Sequence, residues 1–224
     1  MRVPVIVQKL FGSATWNIPC ADPTLFITFD DGPVPEVTPA ILDILESFHA
    51  KATFFCLGDN IKKHPCVFRM ILEKGHAVGN HGAHHLNGWN AQTYRYVEDV
   101  VKCERILENE IRRWKDENPE AVNSKPQTEN RSHLFRPPYG RMTRSQVQAL
   151  KKDYKIIMWD VLSIDYNKYY SGERCFRNVV NGARSGSIVV FHDSLKAKDR
   201  VLDALPKVLR YFSEKKFSFK AIEL

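Results

Sequence analysis

The sequence predicts an α/β protein in which β-α units build a parallel sheet or barrel within one domain. Short runs rich in Ile, Val and Phe alternate with longer amphipathic segments, the signature of strands followed by covering helices. Several of those runs end directly in reactive polar residues: Asp30-Asp31, His81, Arg136, Asp160 and His192-Asp193. In barrels and doubly wound sheets the reacting groups gather at the carboxyl ends of strands.

The elements follow in order. "LFITF" (25–29) reads as the first strand. Thr38 and Pro39 then open a helix to about Phe48, Thr38 as its cap and Pro39 at the first helical position. "ATFFCL" (52–57) is the second strand, and "HPCVFRMILEKG" (64–75) a helix stopped by Gly75. "HAVGN" (76–80) is the third strand. A helix from about Gln92 to Trp114 places Val97, Val100, Val101, Ile106 and Leu107 on a buried stripe. Residues 115–133 hold two prolines and no apolar period, and read as a flexible insertion. "LFR" (134–136) and "KIIMWD" (155–160) are strands flanking a helix whose Thr143 and Gln146 have capping-box spacing. Helical segments at 173–183 and 200–215 surround the strand "SIVVF" (187–191), and "SFKAIE" (218–223) closes the set. The expected organisation is an N-terminal extension, 1–24, and a single catalytic domain, 25–224.

A chain of 224 residues, 43% of them hydrophobic, buries a sizeable core. No apolar stretch nears the roughly 18 residues of a membrane span. The patch from Val3 to Val7 is broken by Gln8 and Lys9 before it reaches signal-peptide length, so a cytoplasmic location is expected. Five cysteines with no C-x-x-C pair fit free thiols. The net charge of +7 is spread over short clusters, which argues against a nucleic-acid partner.

The stretch "GNHGAHHLNGW" (79–89) carries His81, His84 and His85. Imidazoles three or four apart share one face of a helical turn, so spacing alone leaves both the 81/84 and the 81/85 pair open. Two histidines and one aspartate make a three-ligand site with an open position, the layout of a catalytic zinc centre. Such an ion lowers the pKa of bound water to about 7 and polarises a carbonyl, so hydrolysis of an amide or ester follows. Asp30 and Asp31 point to opposite sides of an extended chain, one toward metal and one toward the attacking water.

In this order, "TFDDG", "NHGAHH", "RPPYG", "SIDY" and "VFH" resemble the five motifs of the polysaccharide deacetylases, carbohydrate esterase family four with the nodulation-factor deacetylase homology domain. The resemblance covers about Leu25 to Leu224. It implies a distorted (β/α)7 barrel and a metal-dependent removal of acetyl groups, N-acetyl first, from a glycan or amino-sugar substrate. It implies a divalent metal, Zn first, with Co, Ni or Fe as alternatives, on Asp31, His81 and His85. His84 then falls on a variable position. Asp30 would be the general base, Arg136 its partner, and Tyr139 the backbone N–H donor to the oxyanion. His192 would be the general acid, acting as the imidazolium and aligned by Asp165, with Asp160 and Asp193 as rivals for that place.

Three departures stand out. Gly82 replaces a Ser or Thr, so His81 is expected to be held less rigidly. Tyr166 replaces a tryptophan in the wall of the site, and Val190 replaces a leucine in the acetyl pocket. A related amidase on a small non-sugar substrate, or a glycan-binding barrel without turnover, are the alternative readings.

Overall fold

The computed structural model describes residues 2–4, 8, 12–120 and 133–223. Its strands are β1 (Thr24–Asp30), β2 (Ala52–Cys56), β3 (Ala77–Asn80), β4 (Leu134–Phe135), β5 (Lys155–Ile156), β6 (Val161–Leu162), β7 (Ile188–His192) and β8 (Ser218–Phe219). Its helices are α1 (Thr38–Ser47), α2 (Gly58–Lys63), α3 (Pro65–Glu73), α4 (Thr93–Glu117), α5 (Arg144–Leu150), α6 (Gly172–Gly182) and α7 (Lys198–Glu214), with a short 3-10 turn at Pro138–Gly140. The strands pair in parallel in the order β5-β4-β3-β2-β1-β7-β6, and β8 adds to the start of β1. This curled sheet under its helices is the expected distorted (β/α)7 barrel. No helix among the described residues is long and apolar enough to cross a membrane.

β1 is the centre of the sheet, and all seven of its residues are buried. Its apolar residues pack with β2, β7, α1, α3 and α7 into the main core, which includes Ile27, Phe29, Ile41, Phe54, Phe68, Phe191 and Leu205. Parallel pairing sets Asp30 opposite His192 at the carboxyl edge, and Cys56 opposite Asn80 on the other flank. The motif residues therefore converge at one end of the sheet.

Several details differ from the sequence reading. Of the run 155–160 only Lys155–Ile156 is strand, with β6 following it at Val161, because the rest is bound elsewhere: Met158 N donates to Thr15 O at 2.8 Å, and the Asp160 carboxylate accepts from Ile188 N and Ser187 Oγ. Residues of the N-terminal stretch join the sheet here, Thr15 bridging to Ile157 and Asn17 to Ser187. Thr38 is the first helical residue and not the cap, its hydroxyl accepting from Val34 N and donating to Asp193. The buried face of α4 is Tyr96, Asp99, Val100, Cys103, Glu104, Leu107, Glu110 and Trp114, rotated from the predicted stripe so that three acids lie within it. Thr143 and Gln146 do form a complete capping box at α5. Of the expected insertion, 115–117 continues α4, and 121–132 lies outside the described residues.

Candidate active site

Asp30 closes β1 only 3% exposed, so its carboxylate needs a partner. Arg136, fully buried where the chain leaves β4, donates from its Nη1 to Asp30 Oδ1 at 2.7 Å and to Thr28 Oγ1 at 2.7 Å. Its remaining donors reach Ile157 O and Met158 O, and its guanidinium lies 4.1 Å from the Phe55 ring centroid. Every contact fixes the plane of the fork, which holds one oxygen of Asp30 and leaves the other for chemistry. Thr28 opens the "TFDDG" motif but was given no role there; its alternation with Asp30 on the same face of β1 is the signal that was available.

Asp31 turns away from Asp30 because its backbone is left-handed, φ 83°, and not extended. Asn60, at the start of α2, fixes that turn by donating to Asp31 O at 2.7 Å. Asp31 Oδ1 then lies 3.2 Å from His85 Nε2 and 3.6 Å from His81 Nε2. It is buried and has no hydrogen-bond donor among the described residues. An orphaned carboxylate oxygen facing two imidazole nitrogens suits a cation between them, and the donor atoms of Asp31, His81 and His85 all lie within 4.8 Å of one another. His81 is oriented by its other nitrogen, Nδ1, 2.8 Å from Arg136 O, the outer-shell bond that ligating histidines make. Burial lowers its pKa, so it presents a neutral ring. Burial works to raise the pKa of Asp31, but His85, His192 and His81 together hold it well below the usual carboxylate range.

His84 takes no part in this triad. Its Nδ1 is paired with Asp99, and its Nε2 sits 3.0 Å from Lys102 Nζ. Glu104, Glu108 and His133 form a second close group, but Glu104 is already bound to His133 and to Asn80.

On the other flank, His192 Nδ1 lies 2.7 Å from Asp165 Oδ1, and His192 N donates to Asp165 Oδ2 at 2.8 Å. Burial opposes the charged ring, but Asp165, aided by Asp31 and Asp30, prevails and the pKa is pushed up to about 9. The two rival aspartates are engaged elsewhere. Asp160 binds Ser187 and Ile188, while Asp193 accepts from Gly32 N and Thr38 Oγ1. Tyr139 stands on the rim against His85, ring centroids 4.5 Å apart, and Tyr166 lies edge-on to His192 at 5.2 Å. Trp89 is exposed beneath the Arg141 guanidinium, whereas Trp159 is partly buried beside the Phe26, Phe55 and Ile157 cluster.

Of the six non-glycine residues with positive φ among the described ones, three are the site residues Asp31, His85 and Tyr139, and a fourth, Ile164, precedes Asp165. Left-handed backbone costs roughly 1–2 kcal/mol per residue, and its concentration here marks a functional site.

The family model for polysaccharide deacetylase matches residues 18–155, more than half of the chain. The chain belongs to the polysaccharide deacetylase family. It is therefore a hydrolase that removes acetyl groups from glycan, and the family's dependence on metal agrees with the orphaned oxygen of Asp31. Among its relatives is a peptidoglycan-N-acetylglucosamine deacetylase of Bacillus cereus, 29% identical over 94% of this chain and 92% of the relative. A second B. cereus protein with that name is 32% identical over 82% of this chain, which spans 61% of its length. The fold is similar to a crystal structure of a peptidoglycan N-acetylglucosamine deacetylase in complex with 4-naphthalen-1-yl-N-oxidanyl-benzamide: TM-score 0.82, 27% identity, 98% of this chain and 95% of that one.

Proposed function

We propose that this polysaccharide deacetylase hydrolyses the N-acetyl group of an amino sugar within a peptidoglycan-like glycan, with a zinc ion held by Asp31, His81 and His85. The single observation that carries the reading is the in-register pairing of Asp30 and His192 at the same carboxyl edge of the sheet as the Asp31–His81–His85 group. A base, an acid and a three-donor cation site at one end of the sheet are more than binding needs. That favours turnover over a glycan-binding barrel. The similarity to relatives named for peptidoglycan N-acetylglucosamine supports the sugar.

A divalent ion at this site would supply Lewis acidity, acidifying water and polarising the acetyl carbonyl. The chain's own residues do the rest. Asp30, aligned by Arg136, takes the proton from the attacking water. The Tyr139 N–H donates to the oxygen on which negative charge develops. His192, charged through Asp165, delivers a proton to the departing amine, giving acetate and the free amino sugar. The exposed rings of Tyr139 and Tyr166 form walls against which a pyranose face packs.

The test is acetate release from N-acetylated peptidoglycan fragments and chitin oligomers by metal-loaded protein, repeated with Asp30→Asn. Release that a chelator removes, that Zn²⁺ or Co²⁺ restores and that the variant lacks supports the proposal. No acetate from any of these glycans overturns it, and acetate from small non-sugar amides alone would select the amidase reading.

A further inference from the structure

We propose that Asp99, on the buried face of α4, is the positioning residue that sets the loop between the two histidine ligands; this rests on the metal-site reading of Asp31, His81 and His85. The His81 end of that loop is held from the sheet. His81 N donates to Cys56 O at 3.0 Å and its ring is fixed by Arg136 O, while His85 adopts a left-handed φ of 57°. The middle is held from α4. Asp99 Oδ2 accepts from Ala83 N at 2.9 Å and from His84 N at 3.3 Å, and its Oδ1 pairs with His84 Nδ1. With Asn80 Oδ1 accepting from Gly82 N at 2.8 Å, three successive backbone N–H groups end on side-chain oxygens.

Gly82 follows from this arrangement. Its φ is +78°, and a Cβ there would lie 2.8 Å from Asp99 Oδ2. The missing side chain is therefore the space that the Asp99 carboxylate fills. The expectation that Gly82 loosens His81 is answered by a support from another element, invisible in the motif because it comes from sixteen residues away. Asp99 is 5% exposed, and an acid buried on a helix face is costly unless its oxygens are bound. Its contacts to the loop supply that compensation. α4 is anchored to the same strand end through Asn80, whose Nδ2 donates to Val100 O and Glu104 Oε2, both at 2.8 Å, so the loop is braced by a 25-residue helix and not by a mobile side chain.

The test is the dissociation constant of Zn²⁺ itself, measured by competition with a chromophoric chelator, beside the thermal midpoint of each apo variant. Asp99→Ala should weaken Zn²⁺ binding by about 10–100-fold, the range for outer-shell partners of metal ligands. Asp99→Asn, which keeps an acceptor for Ala83 and His84, should recover most of that loss. Gly82→Ala should weaken binding in the parent, and by a smaller factor once Asp99 is already alanine. If Asp99→Ala fails to fold, the Asp99→Asn and Gly82→Ala measurements decide. Zn²⁺ affinity within twofold of the parent in Asp99→Ala, or in Gly82→Ala where that variant decides, overturns the proposal even if the midpoint falls. His81→Ala separates the two ideas: if it too leaves Zn²⁺ binding unchanged, the metal site itself is misplaced.

Discussion

Replacing Arg136 with Met tests the frame on which the site is hung. The side chain is fully buried and donates to four acceptors: Asp30, Thr28, Ile157 O and Met158 O. Met fills much of the same volume, so the chief loss is electrostatic, a 3% exposed carboxylate left without its cation. Removing one partner of a buried pair costs about 3–5 kcal/mol. For a chain of this length each kcal/mol moves the midpoint by about 2–4 °C, so the midpoint should fall by roughly 6–20 °C. Acetate release should be lost as well, since Asp30 loses the guanidinium that orients its carboxylate. Thermal and urea unfolding of parent, Arg136→Met, Asp30→Asn and the double variant measure the coupling. Arg136→Met should cost far less once residue 30 is the neutral Asn. A loss below about 1 kcal/mol in the parent background, the worth of a solvated surface pair, would show that Arg136 and Asp30 are not coupled as described.

Further expectations concern proton supply, ligand choice and the first turn. Because the His192 pKa is raised to about 9, its charged form is present below that pH, and acetate release should fall as pH rises through about 9. Asp165→Asn should move that falling limb toward lower pH; an unmoved limb would remove His192 from the role of acid. His85→Ala should abolish tight Zn²⁺ binding, whereas His84→Ala should leave it within a few-fold, read by metal content after gel filtration. Gly32→Ala should destabilise by about 1–3 kcal/mol in urea melts, since its Cβ would meet Asp193 Oδ2 at 1.8 Å.

Much of the site could be read from the sequence because the barrel converts linear order into proximity. A polar residue directly after an apolar run sits at the carboxyl edge, and Asp30, His81, Arg136 and His192 all do. The choice of Asp165 over Asp160 and Asp193 came from resemblance alone, and the structure shows why pattern could not make it. All three aspartates are buried, and only their partners tell them apart. The acids of α4 were hidden for a different reason. Hydrophobic periodicity assigns Asp99, Glu104 and Glu110 to solvent, yet each pairs with a group that lies far away along the chain: the 83–84 backbone, His133 and Arg69. Likewise "KIIMWD" reads as a six-residue strand, although only Lys155–Ile156 pairs as β5, because nothing in it announces that Thr15 will bridge to Ile157.

The in-register placement of Asp30 beside His192 has a consequence for how such proteins diverge. Asp30 and His192, the proposed proton acceptor and donor, ride on adjacent paired strands about 4.8 Å apart, while Asp31, His85 and Tyr139 stand in the segments beyond. Exposed residues such as Tyr166 and Trp89 can be replaced without moving the two paired strands. On the proposed reading, the paired strands hold the proton chemistry and the exposed rim is what a sugar would meet.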